Sequence, residues 1–291
     1  MTSHADLVRD ASAAFAAGDH ERTRSLALQG LSAHPEDIEL LRLVGRSSLE
    51  LGREDAVLHL AALVARTPDD PGALLHLGFA HAAGGHAEEA ADVFAKVLEL
   101  TPADGDAALH FAYAAHATGR TEEAVAALDR AIELGGVTNE LLRSQVELAL
   151  AAGLFPAALG AATRLEALDP KDVGNALDIA ELHLGLGEFS TAAEAFERLR
   201  RLDVEDGHET FACHGQIESL LRAERWRDAL DAAISATTLD RHSLTTDLLA
   251  FVTVMLFGAA EQRVAPGWTD LDQRLKAERA THRQLHADRG T

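Results

Sequence analysis

Aromatic side chains make up 4% of this 291-residue chain, against 47% hydrophobic residues overall. Alanine and leucine must therefore fill most of any core. There is one cysteine, Cys213, which excludes an intramolecular disulfide framework. Basic residues are outnumbered: 26 Lys and Arg face 47 Asp and Glu, a net charge of −21. Nucleic acids and anionic bilayers are recognised through a basic footprint, so neither is expected as a partner. The acidic excess reads instead as a solvated surface. Long apolar runs are missing as well. The longest, residues 248–260 and relieved only by Thr253, is too short to span a membrane. The N-terminus has no basic stretch leading into an apolar one, so no secretory signal is expected. Together these absences point to a soluble, cytoplasmic protein.

What the chain does contain is a period. Gly85, Gly119, Gly153 and Gly187 stand 34 residues apart, with Gly18 and Gly52 nearly in phase. A few residues beyond each turn comes an alanine: Ala56, Ala90, Ala124, Ala158 and Ala192. Further on, in phase again, comes a breaker or its substitute: Pro68, Pro102, Gly136, Pro170, then Val204. A fixed period of this size is the signature of stacked helical hairpins. The units fall at 4–37, 38–70, 71–104, 105–138, 139–172, 173–206 and 207–242, the second one residue short and the seventh irregular, with Glu224 in place of the turn glycine.

The third unit shows the local logic. Leu74, Leu77, Gly78 and His81 share one face of a first helix. Gly84-Gly85 then supplies the positive φ that a tight turn needs. Glu88 and Glu89 open the second helix, where carboxylates suit the dipole, and Ala90, Val93, Phe94, Val97 and Leu98 form its apolar stripe. Pro102 stops it. In the fourth unit Thr121 is expected as the N-cap.

The small residues Gly45, Gly78, Ala112 and Ala180, the alanine series and the prolines at 35, 68, 102 and 170 resemble the tetratricopeptide repeat family, over residues 4–242. The resemblance implies an all-α, right-handed superhelical solenoid of helical hairpins. After residue 242 the period stops. Residues 243–263 and 268–287 read as two helices, the first strongly apolar, that cap the exposed end of the array, leaving a tail at 288–291. Departures from the family pattern are also present. Ala14, Ser48, His81, Ala115, Ala149 and His183 stand where a tyrosine is common.

The resemblance further implies that first helices build a concave groove for a protein or peptide. Carried onto this chain, the groove offers Arg9, Arg42 and Arg46 at one end, and Leu75, His76, Phe79, Leu109, His110, Tyr113 and His116 in the middle. The far part mixes Arg143 with Glu140, Glu147, Asp178 and Glu181. Basic, then apolar-aromatic, then mostly acidic residues would favour a ligand with an acidic stretch and a hydrophobic anchor, and because His76 and His110 can gain charge near neutral pH, affinity for an acidic ligand would rise modestly as pH falls toward about 6. The chaperone-binding pattern of Lys and Asn is absent. The repeats begin almost at Met1, so no helix-turn-helix head is expected.

Catalytic constellations are not apparent. Gly185-Leu186-Gly187 sits at a helix turn rather than after a strand, so no dinucleotide loop and no cofactor are expected. His81 and His183 read as core, and Cys213 beside His214 reads as a packed thiol. His282 and His286 share a face without a third ligand, so no metal site is expected. The expectation is a non-catalytic adaptor or scaffold. The alternative is a structural subunit that forms a homo-oligomer through Leu256, Phe257 and Trp268. Low lysine with abundant arginine and alanine is the usage of GC-rich bacterial coding.

Overall fold

The computed structural model describes residues 3–202, 208–239, 243–257 and 267–289. They form sixteen α-helices and no strand. The chain divides into two compact units, residues 1–153 and 154–291. The first holds the hairpins α1 (His4–Ala16)/α2 (His20–Leu31), α3 (Ile38–Glu50)/α4 (Ala56–Arg66), α5 (Pro71–Ala83)/α6 (Ala87–Leu100) and α7 (Gly105–Ala117)/α8 (Thr121–Gly135), followed by α9 (Asn139–Ala151). The second holds α10 (Phe155–Leu168), the hairpins α11 (Val173–Gly185)/α12 (Phe189–Arg201) and α13 (His208–Arg222)/α14 (Trp226–Leu239), then α15 (Ser243–Phe257) and α16 (Trp268–Arg289). Within each unit consecutive helices pack on one another.

The turns are built alike. Gly18, Gly52, Gly85, Gly119, Gly153 and Gly187 all have positive φ. The N–H of the following residue donates to a carbonyl five residues back: Arg53 to Ser48 at 2.8 Å, His86 to His81 at 2.9 Å and Arg120 to Ala115 at 2.7 Å. This is the left-handed helix stop that glycine favours. Glu224, with φ 58°, makes the same turn without being glycine, and Arg225 donates to Leu220 at 2.9 Å. The seventh hairpin is thus in register from its turn onward.

First helices begin on a recurring cap. The side chains of Asp37, Asp70, Asp104 and Thr138 in the first unit, and Asp172 in the second, accept from N–H groups of the first helical turn. Part of the acidic excess therefore stabilises helix starts. Thr121 departs from expectation. It is the first residue of α8, whose N-cap is Arg120 with no side-chain bond. Its hydroxyl instead pairs with His116 Nδ1 at 2.9 Å. Second helices stop before Pro68, Pro102 and Pro170 as expected.

The in-phase small residues sit at helix crossings. Ala90, Ala124, Ala158 and Ala192 are fully buried. A Cβ placed on Gly78 would lie 2.5 Å from the Phe94 ring, and one on Gly45 would lie 2.7 Å from Leu60. Large side chains on second helices fill the space that the glycines leave. That is how a chain poor in aromatics reaches close packing.

Candidate functional site

Every residue expected in the groove up to Arg143 lies on a first helix of unit 1: Arg9 on α1, Arg42 and Arg46 on α3, Leu75, His76 and Phe79 on α5, Leu109, His110 and Tyr113 on α7, and Arg143 on α9. The structure brings the middle of this set together. The Phe79 ring lies 4.6 Å from His110 and 5.5 Å from Phe94, and His110 stacks on Phe94 at 5.7 Å. His76 meets Phe79 edge-on at 6.3 Å. Phe79 and Leu75 are half-buried, Leu109 is buried, and His110 is exposed. Tyr113 keeps 45% of its surface exposed, while its hydroxyl meets Ser144 Oγ on α9 at 3.0 Å. The bond fixes the ring and leaves a face open. A rigid, half-wet aromatic of this kind anchors a ligand at little entropic cost.

The charges are arranged differently from the sequence expectation. Arg9 is engaged by Asp6 at 2.9 Å and by Asp10 at 3.1 Å on its own helix. Arg42 donates to Asp70 at 2.9 Å. Asp70 uses its other oxygen to cap α5, accepting from Gly72 and Ala73. Arg46 lies over the Phe15 ring, 4.6 Å from its centroid. A basic end built from three unengaged guanidinium groups is therefore not what the fold produces. His76 is corrected too. Burial pushes its pKa below the usual histidine range, and the Arg46 and Arg42 charges add to this, outweighing the bond to the Gly72 carbonyl. Its Nδ1 lies 2.6 Å from that carbonyl. His76 therefore gains charge only at lower pH than the sequence reading had it. His116 is tied into its own turn by Thr121. Arg143, Glu140 and Glu147 are exposed on α9, whereas Asp178 is half-buried and Glu181 buried on α11 in unit 2.

A cleft of about 580 Å³ in unit 1 lies at the hairpin-turn edge, lined by Gly52, Arg53, Glu54, Ala80, Gly84 and His86 among others. None of the expected groove residues lines it, and it gathers no converging chemistry. Among the described residues no group of three or more His, Cys, Asp or Glu side chains could hold a metal ion, and no helix is long and apolar enough to cross a membrane. Cys213 is fully buried, and burial pushes its thiol above the usual range. His214 points elsewhere, to Glu278 and Thr245. His183 is held by Glu188 at 2.6 Å across its turn. The side chains of Leu256, Phe257, His282 and His286 lie outside the described residues. Trp268 packs against Phe251, 5.6 Å between ring centroids, with Arg222 5.4 Å from its ring.

Two family models, both described as tetratricopeptide repeat, match the chain, one over residues 81–136 and the other over 53–108 and 109–173. Residues 53–173 carry tetratricopeptide repeats. No curated protein matches the chain. Among solved structures, a thermophilic tetratricopeptide repeat protein of Thermus thermophilus is 25% identical, over 62% of this chain and 100% of that one, with a TM-score of 0.40. A tetratricopeptide repeat protein of Parabacteroides merdae ATCC 43184 is 13% identical, over 86% and 98%, with a TM-score of 0.52. A chain of the Naa15/Naa10 complex bound to HypK-THB is 13% identical over 86% of this chain and 38% of its own length, with a TM-score of 0.65. The last two share the fold with this chain. Tetratricopeptide repeats give it a protein-interaction kind of role.

The sequence reading missed a polar cluster at the other end of the chain. His214, Glu218 and Arg222 on α13 meet Asp272, Glu278 and Arg279 on α16. A signal for it was present. Glu218 precedes Glu224 by the same interval as Tyr113 precedes Gly119, which gives it the same position on its first helix as an expected groove residue.

Proposed function

We propose that this tetratricopeptide repeat protein is a non-catalytic adaptor whose unit 1 binds a peptide or helical segment of a protein partner across the first-helix face. The observation that supports this reading best is Tyr113, the only tyrosine, held by Ser144 with its ring 45% exposed beside His110 and Phe79. The ligand is anchored by an apolar or aromatic side chain. Leu75 and Phe79 widen the apolar floor, while Arg46 and Arg143 supply charge at its margins. Because Arg9 and Arg42 already hold carboxylates, charge contributes selectivity rather than most of the affinity.

The test is selection of peptides from a random display library on the purified chain, followed by titration of the selected peptide. Tyr113→Ala should weaken binding by roughly 1–3 kcal/mol with little salt dependence, as loss of a packed anchor does. Arg46→Ala should act more at low salt than at high salt. Glu89→Ala, on the exposed side of α6, should leave affinity unchanged. Loss of binding in Glu89→Ala with retention in Tyr113→Ala would move the site to the second-helix face.

A further inference from the structure

The first-helix face that stays open on α5 and α7 is covered on α13. Phe79, Tyr113 and Glu147 each stand six residues before a left-handed turn residue, and they are half-buried, 45% exposed and exposed respectively. In unit 2 the same position is buried, at Glu181 before Gly187 and, fully, at Glu218 before Glu224. On α15, Leu248 and Val252 are also fully buried.

The helix that covers Glu218, Leu248 and Val252 is α16. Leu271 and Leu275, one helical turn apart, are buried in the same apolar cluster as Leu248 and Val252. Around these leucines the charges pair reciprocally. Arg279 donates to the buried Glu218, which also accepts from Arg222 at 3.0 Å. Arg222 reaches Asp272 at 2.5 Å. His214 Nδ1 donates to the Glu278 carboxylate at 2.8 Å, and Arg274 donates to Asp247 on α15 at 2.5 Å. The opposite flank of α16, including Thr269, Gln273, Lys276 and Ala280, is exposed.

We propose that α16 is an exchangeable, built-in ligand of this face, and that the face is a docking site for an amphipathic helix of the same chemistry carried by a partner protein. The helix it fits bears two leucines four residues apart, a carboxylate directly after the first leucine and a Glu-Arg pair two turns on. Two features support exchange. Beyond its two leucines α16 is held through charge pairs, and a second helix of the same chemistry replaces them one for one, so exchange leaves no buried charge unpaired. The face left behind keeps an internal partner for its buried carboxylate, since Arg222 remains on Glu218, while Leu248 and Val252 become an uncovered apolar strip. An amphipathic helix is the ligand that satisfies both. This site lies in unit 2 and is independent of the Tyr113 face in unit 1, so either can fail alone.

The experiment titrates a fluorescently labelled synthetic peptide of residues 267–289 into the full-length chain. Wild type, with α16 in place, should bind it weakly. A full-length Leu271→Ala, Leu275→Ala variant, which loosens α16 and leaves α13 and α15 untouched, should bind it at least about tenfold more tightly. The same peptide carrying Arg279→Glu should lose that gain. Equal binding by the two proteins, or none by either, overturns the proposal. Should the variant fail to fold, hydrogen exchange on wild type decides. Amides of α16 exchanging about tenfold faster than those of α13 support a detachable helix, and the two helices exchanging together overturn it. A variant that dimerises by light scattering and binds no peptide assigns the face to a second copy's α16, and the partner helix is then rejected.

Discussion

At the scale of single residues, this fold depends on what is missing from a side chain. Gly78 exists because the Phe94 ring occupies the place of its Cβ, at 2.5 Å. Gly78→Ala should overpack α5 against α6 and destabilise the chain by about 1–3 kcal/mol. The combination Gly78→Ala with Phe94→Leu should recover part of that loss, because the smaller side chain vacates the clash. Urea denaturation of the two variants checks this, and a double variant no more stable than the single one would place the strain elsewhere. Glu224 is the converse case, a side chain where the backbone asks for none. It holds φ 58° at a cost of about 1–2 kcal/mol relative to glycine. Its turn was recognisable from the sequence only because the glycines around it set the phase.

At the scale of elements, the caps decide where first helices start, and through them where the candidate groove residues stand. Asp104 accepts from the Ala107 N–H at 3.0 Å and opens α7, the helix that carries His110 and Tyr113. Asp104→Ala should cost about 1 kcal/mol by chemical denaturation, whereas Asp104→Asn should cost much less, since asparagine caps comparably. Equal losses in the two variants would mean that charge, rather than the cap bond, is what matters. The hairpins themselves were legible from the turn glycines and alanines, because helix stops and close crossings each demand a particular residue type. The ion pairs were not. Arg42 finds Asp70, the cap of the next hairpin, and Arg120 finds Asp92 at 3.2 Å, contacts that depend on how hairpins stack. Arg9, Arg42 and Arg46 looked like an open basic end in the sequence, while two of them are engaged in the fold, Arg42 by the next hairpin's cap and Arg9 by Asp6 and Asp10 of its own helix. The placement of α16 was equally hidden. Its leucines and charges read as a cap, and only their three-dimensional partners show that they cover a first-helix face.

At the scale of the molecule, pH should act on stability through two separate windows. Burial, opposed in each case by nearby favourable groups, lowers the pKa of His59, His76 and His81, all in the unit of residues 1–153. A lowered histidine pKa means that the unfolded chain binds protons before the folded one does. Stability is therefore intact above the ordinary histidine range and declines as pH falls below about 6.5. The carboxylates work further down. Burial opposes the charge of Asp55 and Asp70, but hydrogen bonds from Arg24 and Ser48 to the first, and from Arg42 and the α5 backbone to the second, leave both pKa values lowered. Their contribution is present above about pH 4 and disappears as pH falls through the folded values. A modest decline from about pH 7 to about pH 5, followed by a steeper one below about pH 4, is thus expected for unit 1. Hydrogen exchange of α3 to α6 can follow it without interference from unit 2. His76→Gln, which keeps a side-chain donor near the Gly72 carbonyl and removes the titration, should flatten part of the upper decline and leave the lower one intact. If wild-type protection over α3 to α6 is the same at about pH 7 and about pH 5 after correction for intrinsic exchange, these histidines do not bind protons differently in the folded and unfolded chain, and the assignment fails.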